Sequence, residues 1–497
     1  MKGRGTRPII STHLAAHLPQ PVAEVSNAQR EIPALDELAR QTAAVPPLGE
    51  GLKRTDAKPL ANLIDHFVTS MGSLEKTLLL VMAEVSRHHS RAHRKFDEFV
   101  AKGTCEEFEA SGRTAFRPKS HDYCQEFSDL TAGLDMTHIA TRTVPRSFLV
   151  ALVSEYDFFI RSFFSSVLLA KPNLMMGSHR TLEISRLLAF EAIPDAYQWV
   201  VEEEIDELMR GSHLEQFDYL DTKFNIRWKR EQDPLWRKFI EVTERRNLFV
   251  HTDGFVSNQY LEVCRNNKAI ISSPSKGDEL TVTPDYFTDA YETLLEMGIK
   301  VSQVLWRKQF PEQAKESDRS IWNTSYDLLM NKRYLLAKNL LSFATTTLKN
   351  KLQNEEQLLY FKVSLAIALK NLDDRVEFAK CMASEEWHKK RDLFRLAEAV
   401  LNERYHDAVI LMRKVGDGVH KADYRRWPLY ERFRNFPEFK LVFREIFGED
   451  VGAHDHRDRA LTVSGRDFVV VPGDSPARNQ LPPLQRRSSA EHEKSGS

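Results

Sequence analysis

The chain is short of cysteine, of net charge and of long apolar runs. Its four cysteines among 497 residues, Cys105, Cys124, Cys264 and Cys381, show no CxxC spacing. That argues against a zinc knuckle and against a secreted disulfide scaffold. Lys and Arg number 70 and Asp and Glu 71. No global field then marks a bulk nucleic-acid or membrane-surface binder, and any such contact must come from a local patch. No stretch approaches ~18 consecutive apolar residues, so no transmembrane helix is expected. The opening MKGRGTRPIISTHLAAHLPQP has no sustained apolar region and does not read as a signal peptide. GxxxxGKS/T, GxGxxG, GxSxG and kinase signatures are missing, which sets aside the common nucleotide-dependent and hydrolase classes. A reduced, cytoplasmic protein with no membrane segment, no cofactor and no metal is the expectation.

What is present is mostly helical patterning. Residues 1–57 are rich in Pro, Ala and polar residues without a period and read as a disordered leader, as does the tail over 451–497 apart from its DFVVV run. Residues 58–143 begin with a long helix. Phe67, Met71, Leu74, Leu78, Val81, Val85, Ala92, Phe96 and Phe99 recur at steps of three and four, a heptad seam. The seam fits an intramolecular hairpin, with a dimer contact as the alternative. From 104 to 143 the sequence reads as a connecting segment with short helices.

Residues 144–310 form the second helical block. It opens on SFLVALVSEYDFFIRSFFSSVLLA, where Glu155, Asp157 and Arg161 sit among large apolar residues. Further helices fit 180–210, 213–225 and 233–252; Asp233 and Pro234 make a clean start to the last, and Gly254 a stop. AIISS (269–273) and ELTVT (279–283), split by PSKGD, read as a small hairpin. A closing helix starts at Pro284 or Asp285.

Residues 320–447 carry an internal repeat. NKRYLLA (331–337) recurs as NERYHDA (402–408), and LKNLDDRVEFA lies between them. The Tyr-x-x-Ala unit puts an aromatic at a turn and a small residue where paired helices approach. This block resembles degenerate tetratricopeptide repeats, which implies helix hairpins that dock a protein partner. RRWPLYERFRNFPEFKLVFREIFGED reads as the aromatic cap of such an array. From Trp387 to Phe447 there are 14 Lys and Arg against 9 Asp and Glu, with Tyr405, Tyr424, Trp427, Tyr430 and Phe433 interleaved. Base stacking is one reading of these aromatics; packing of the cap is the preferred one.

The pattern that carries chemistry is ERRNLFVHTDG (244–254). On a helix, Asn247 and His251 stack on one face, and the long side chain of Arg246 can reach the same place. A guanidinium, an imidazole and an amide suit cleavage of an RNA phosphodiester. The imidazole takes a proton from the 2′-hydroxyl or gives one to the leaving 5′-oxygen, and the arginine holds the charge on phosphorus.

At Arg246-Asn247-x3-His251 the sequence resembles the HEPN family, whose motif is an arginine followed four to six residues later by a histidine. The helical block before the motif, the glycine, the expected hairpin and the closing helix extend the likeness over 144–310. The resemblance implies a metal-independent endoribonuclease acting on RNA in stress response or phage defence. It also implies a homodimer with one motif from each copy lining one cleft, and catalytic roles for Arg246 and His251 with support from Asn247. Arg245 also lies within the allowed spacing, and Glu155 is a candidate to fix the arginine through a salt bridge. Some members of the family have lost catalysis, so a non-catalytic interaction scaffold is the alternative. The fold expected is all-α: a HEPN-like helical bundle with a small β-hairpin insertion, followed by tetratricopeptide-like repeats. Glu84, His88, His89 and His93 have helical i,i+4 spacings used by metal sites, but the arginines and lysine around them oppose a cation, and a basic polar helix face is the preferred reading.

Overall fold

The computed structural model describes residues 60–110, 113–176, 181–228, 233–269 and 274–452. The expected leader, all but two residues of the tail with its DFVVV run, and 270–273 of the expected hairpin lie outside the described residues. Those described are mostly helical, with one two-stranded antiparallel sheet. No helix among them is long and apolar enough to cross a membrane. Two compact units form. One holds Leu74–Leu149 and Thr281–Thr283; the other holds Pro59–Ser73, Val150–Leu280 and the chain from Pro284.

In the first unit, parts of α1 (Leu60–Ala101) and α2 (Cys124–Ala170) lie antiparallel, joined through strands β1 (Cys105–Ala110) and β2 (Arg113–Pro118). The heptad seam is used inside the chain: Phe96 and Phe99 are buried, with their rings 5.9 Å and 6.4 Å from Phe127 of α2. Phe116 of β2 meets Phe96 edge-on at 5.8 Å. This sheet stands where short helices were expected. The expected domain edge at 143/144 falls inside α2, which runs on through Pro145. Around that residue, Thr141 Oγ1 donates to the His138 carbonyl at 2.7 Å and Ser147 Oγ to that of Thr143 at 3.0 Å.

In the second unit the bundle continues through α3 (Ile184–Leu187), α4 (Ile193–Arg210), α5 (His213–Lys223), α6 (Pro234–His251), α7 (Asn258–Asn266) and α8 (Pro284–Gln309). The single helix expected over 180–210 is two: Pro194, in the first turn of α4, has no N–H with which to continue a helix arriving from α3. Tyr156, Phe163, Phe217, Trp236, Phe239 and Leu294 are almost fully buried and form the centre. Gly298 of α8 admits a close approach, since a Cβ there would fall 2.6 Å from the ring of Phe67. Of the hairpin expected between AIISS and ELTVT, residues 270–273 lie outside the described residues, and the start of ELTVT pairs with the segment after α6. Val256 N–H donates to Asp278 O at 2.9 Å, Gly277 N–H to Val256 O at 3.0 Å and Leu280 N–H to Gly254 O at 2.9 Å.

A buried ion pair joins the bundle to the helices that follow. Arg307 of α8 donates to Asp318 Oδ1 of α9 (Ala314–Met330) at 2.7 Å, with the two side chains 2% and 0% exposed. The same guanidinium reaches Lys351 O at 3.0 Å and Gln303 Oε1 at 3.2 Å, and Asp318 Oδ2 accepts from Gln353 N–H at 2.8 Å.

The repeated sequence corresponds to repeated structure. Three helix pairs follow one another: α9 with α10 (Tyr334–Thr346), α11 (Glu355–Asn371) with α12 (Arg375–Ala383), and α13 (Asp392–Leu401) with α14 (Tyr405–Val415). Each pair turns through one left-handed residue, Lys332 (φ 59°), Asp373 (φ 53°) or Glu403 (φ 59°). The next amide closes each turn onto the helix behind it: Arg333 to Leu328 O, Asp374 to Leu369 O and Arg404 to Ala399 O, at 2.9, 3.0 and 2.9 Å. This is a helix C-cap of the Schellman kind made without glycine. Beyond it, α15 (Lys421–Arg426) and α16 (Pro437–Phe447) carry the cap, in which Tyr424, Tyr430, Phe433, Phe439 and Phe443 are fully buried. Those rings pack against one another and do not face solvent as stacking platforms.

Two measurements check this reading. A non-glycine residue in the left-handed region costs roughly 1 kcal/mol. Lys332→Gly is therefore expected to stabilise the chain by up to about that amount in urea unfolding. Glu403→Gly should gain less, because it also loses the ion pairs to Lys370 (2.9 Å) and Arg432 (2.8 Å). The second concerns His89 of α1, whose Nδ1 lies 3.0 Å from Thr137 Oγ1 and whose ring neighbours are His93 and His138. Burial, then His93 and His138, hold its pKa below the ordinary 6.5. The unfolded chain binds that proton more tightly, so the stabilisation is present above about 6.5 and is lost as the pH falls below it. Thermal melts at pH 7.5 and 5.5 should show a larger loss for wild type than for His89→Gln.

Candidate functional site

Helix α6 begins with its own signal: the Asp233 carboxylate caps the Leu235 amide at 2.9 Å, ahead of Pro234. It ends at His251. The Thr252 and Gly254 amides both return to Leu248 O, at 2.8 and 3.1 Å, and Gly254 has φ +88°. A Cβ at Gly254 would sit 3.0 Å from the Phe249 ring and 3.2 Å from Leu280 O, so only glycine fits this stop. Every sequence-selected residue on α6 is therefore placed by a firm start and a firm end.

The two arginines of the motif differ by about 100° around the helix, and the fold uses them differently. Arg245 Nε donates to Glu241 Oε1 at 2.7 Å, and its guanidinium lies 3.9 Å from the centre of the Tyr286 ring. Glu241 also accepts from the hydroxyls of Tyr260 at 2.9 Å and Tyr286 at 2.8 Å. Burial and the Glu241 charge push both tyrosine pKa values up, so both stay neutral donors. Cys264 shares this surrounding; burial and then Glu241 raise its thiol to about 12, which removes it as a nucleophile. Arg245 belongs to a closed, structural cluster.

Arg246 points elsewhere. Its Nη2 lies 3.6 Å from Asp157 Oδ2 of α2, and its Nη1 donates to Asn247 Oδ1 at 3.1 Å. Asn247 Nδ2 in turn donates to Glu244 Oε1 at 3.3 Å. The other oxygen of Asp157 meets Nε2 of His213, at the start of α5, at 2.9 Å. Arg246 and Asp157 keep about a quarter of their side-chain surface exposed and His213 only 9%. Burial raises the Glu244 pKa against the opposing influences of His213 and Asn247. Arg246 Nε is buried and makes no hydrogen bond among the described residues.

The carboxylate beside Arg246 is thus Asp157 and not the expected Glu155. Glu155, two residues away and rotated by about 200° on the helix, faces His66 of α1 at 3.7 Å. Asp157 and His213 are the residues that sequence reasoning left out of the site. They lie 56 positions apart in the chain, and their only signal was charge or imidazole amid apolar helix.

His251 stands apart from this network. It is exposed at the last position of α6, one turn beyond Asn247, and has no hydrogen bond, ion pair or ring contact among the described residues. Val250 and Phe255 beside it are 51% and 47% exposed. The structure therefore brings Arg246 and Asn247 together and leaves His251 open to solvent. The histidines of α1 are occupied locally: His88 Nε2 lies 3.0 Å from Glu84, and no group of three His, Cys, Asp or Glu residues among those described is arranged to hold a metal ion. No family model, curated protein or solved structure matches the chain.

Removing the charge of Asp157 tests the network. Asp157→Asn leaves the partly exposed Arg246 and the buried His213 without their shared carboxylate. It is expected to cost about 1–3 kcal/mol in urea unfolding, the range for a hydrogen bond to a charged group, whereas Glu155→Gln should change stability far less.

Proposed function

We propose that the chain is a HEPN-type endoribonuclease that cleaves RNA phosphodiesters without a metal ion. The observation that carries this reading is the division of labour on α6. A held, partly exposed guanidinium at Arg246 stands five residues before a solvent-open imidazole at His251, about 140° around the helix and within reach of a long side chain. His251 takes the 2′-hydroxyl proton or returns one to the leaving 5′-oxygen. Arg246 meets the charge that develops on the phosphoryl oxygens. Asn247 orients Arg246 through the 3.1 Å hydrogen bond, and Asp157 steadies the other side of the guanidinium. Exposed Val250 and Phe255 give a second copy of the chain an apolar surface to cover next to His251. The pairing of two half-sites in a homodimer, and a setting in stress response or phage defence, follow from the family resemblance.

The three helix pairs are read as degenerate tetratricopeptide-like repeats that dock a protein partner. A cleft of about 440 Å³ is lined by Lys332, Tyr334, Lys370, Asn371, Tyr405 and Arg432 among others, drawn from all three pairs and the cap. The same feature favours the second reading, a scaffold without catalysis.

Incubating total RNA in EDTA with wild type, His251→Ala and Arg246→Ala separates the two. The nuclease reading expects cleavage by wild type and a loss of about 10²–10⁴ in rate in His251→Ala, with a comparable loss in Arg246→Ala. Cleavage by none of the three, at concentrations that permit dimers, leaves the scaffold. Equal cleavage by all three assigns the activity elsewhere.

A further inference from the structure

The segment RHHSRAHRK (87–95) of α1 holds four Arg or Lys residues and three histidines with no carboxylate between them. At 100° per residue, Arg87, Arg91, Arg94 and Lys95 fall within an arc of about 100°, and Phe96 lies roughly opposite the middle of Arg87's side. Phe96 is buried at 3% against the facing part of α2, so the four cations occupy the outward face. All four are exposed. Arg91 and Lys95 have no ion pair among the described residues. Arg87 pairs with Glu84, and Arg94 Nε lies 3.7 Å from Glu98, with all four of these side chains more than half exposed. Ion pairs of that kind contribute little and are readily exchanged for another anion.

Arg87, Arg91 and Lys95 rise about 6 Å from one to the next, a straight line of charge suited to successive phosphates. Between residues 87 and 95 the arc has no apolar residue. The apolar side of the helix is already spent on Phe96 and Phe99, so the lipid-inserting face that a membrane-surface helix needs is lacking. We propose that this face of α1 binds the phosphate backbone of RNA. It contacts backbone and not bases, because no aromatic ring stands among the cations to stack on. His88, exposed beside Lys95 at its edge, supplies a further donor to phosphate oxygens.

The inference rests on the RNA reading above. Binding is measured in His251→Ala, so absence of cleavage and absence of this contact are told apart. The probe is a fluorescein-labelled single-stranded uridine 20-mer, followed by anisotropy from 50 to 300 mM salt. Relative to His251→Ala alone, adding Arg91→Glu and Lys95→Glu is expected to weaken binding at least about tenfold at 0.1 M salt. It should also lower the slope of log affinity on log salt by about 1–2, since each phosphate neutralised on a single strand contributes roughly 0.7. Arg91→Gln with Lys95→Gln should give a smaller change in the same direction, with circular dichroism confirming that both variants fold. Unchanged binding would overturn the proposal. So would an equal loss on reversing Lys380 and Lys389, which lie outside this face. Competition by poly-glutamate as effective as that by unlabelled RNA would assign the face to an acidic protein instead.

Discussion

The ion pair between Arg307 and Asp318 is buried between the bundle and the first helix pair of the second unit, and both packings must accommodate it. Taking two charges out of water costs several kcal/mol each, and their attraction offsets this only with good geometry and further hydrogen bonds. Both conditions are met, through Gln303, the Lys351 carbonyl and the Gln353 amide. Burial pushes the Asp318 carboxyl up and the Arg307 guanidinium down, and each partner's charge opposes the shift in the other. Sliding α9 along α8 would strand a charge with no water to receive it. The bundle and the first helix pair are thereby held in one register. Because Tyr286 at the other end of α8 bonds Glu241 of α6, the same constraint reaches the helix that carries the candidate site.

Helix α6 shows how one helix serves two purposes. The side bearing Glu241 and Arg245 is sealed by two tyrosine hydroxyls. The side bearing Arg246 and Asn247 meets Asp157, which His213 grips from behind. A guanidinium held by carboxylate on one side and amide on the other loses little further freedom when it meets a phosphate. Arg246 Nε, buried and without a hydrogen bond among the described residues, leaves one polar group of the network unsatisfied.

Much of this architecture could be read from the sequence, for identifiable reasons. Asp233-Pro234 marked the start of α6 because a cap and a donorless first residue leave a distinct trace. NKRYLLA and NERYHDA marked two helix turns because a left-handed residue followed by a packed tyrosine is demanding. The hairpin at β1 and β2 was missed because CEEFEA and RTAFRP are polar and short of β-branched residues, while the β-branched AIISS and ELTVT attracted the assignment instead. The second of those pairs with the residues after α6 only once the bundle has brought them together. The choice of Asp157 over Glu155, and of Arg246 over Arg245, depended on a rotation of one or two residues about a helix axis, which charge patterning alone does not settle.

The tight turns at Lys332, Asp373 and Glu403 also set an order of events. Each closes a hydrogen bond over six residues, so the helix pairs are built from contacts local in sequence and can form soon after they leave the ribosome. The Asp157, His213 and Arg246 network must instead wait for distant segments to meet, and the Arg307 lock waits for Asp318 and the 351–353 turn. In a chain proposed to cut RNA, competence at the site is therefore delayed until well beyond the synthesis of the site residues themselves.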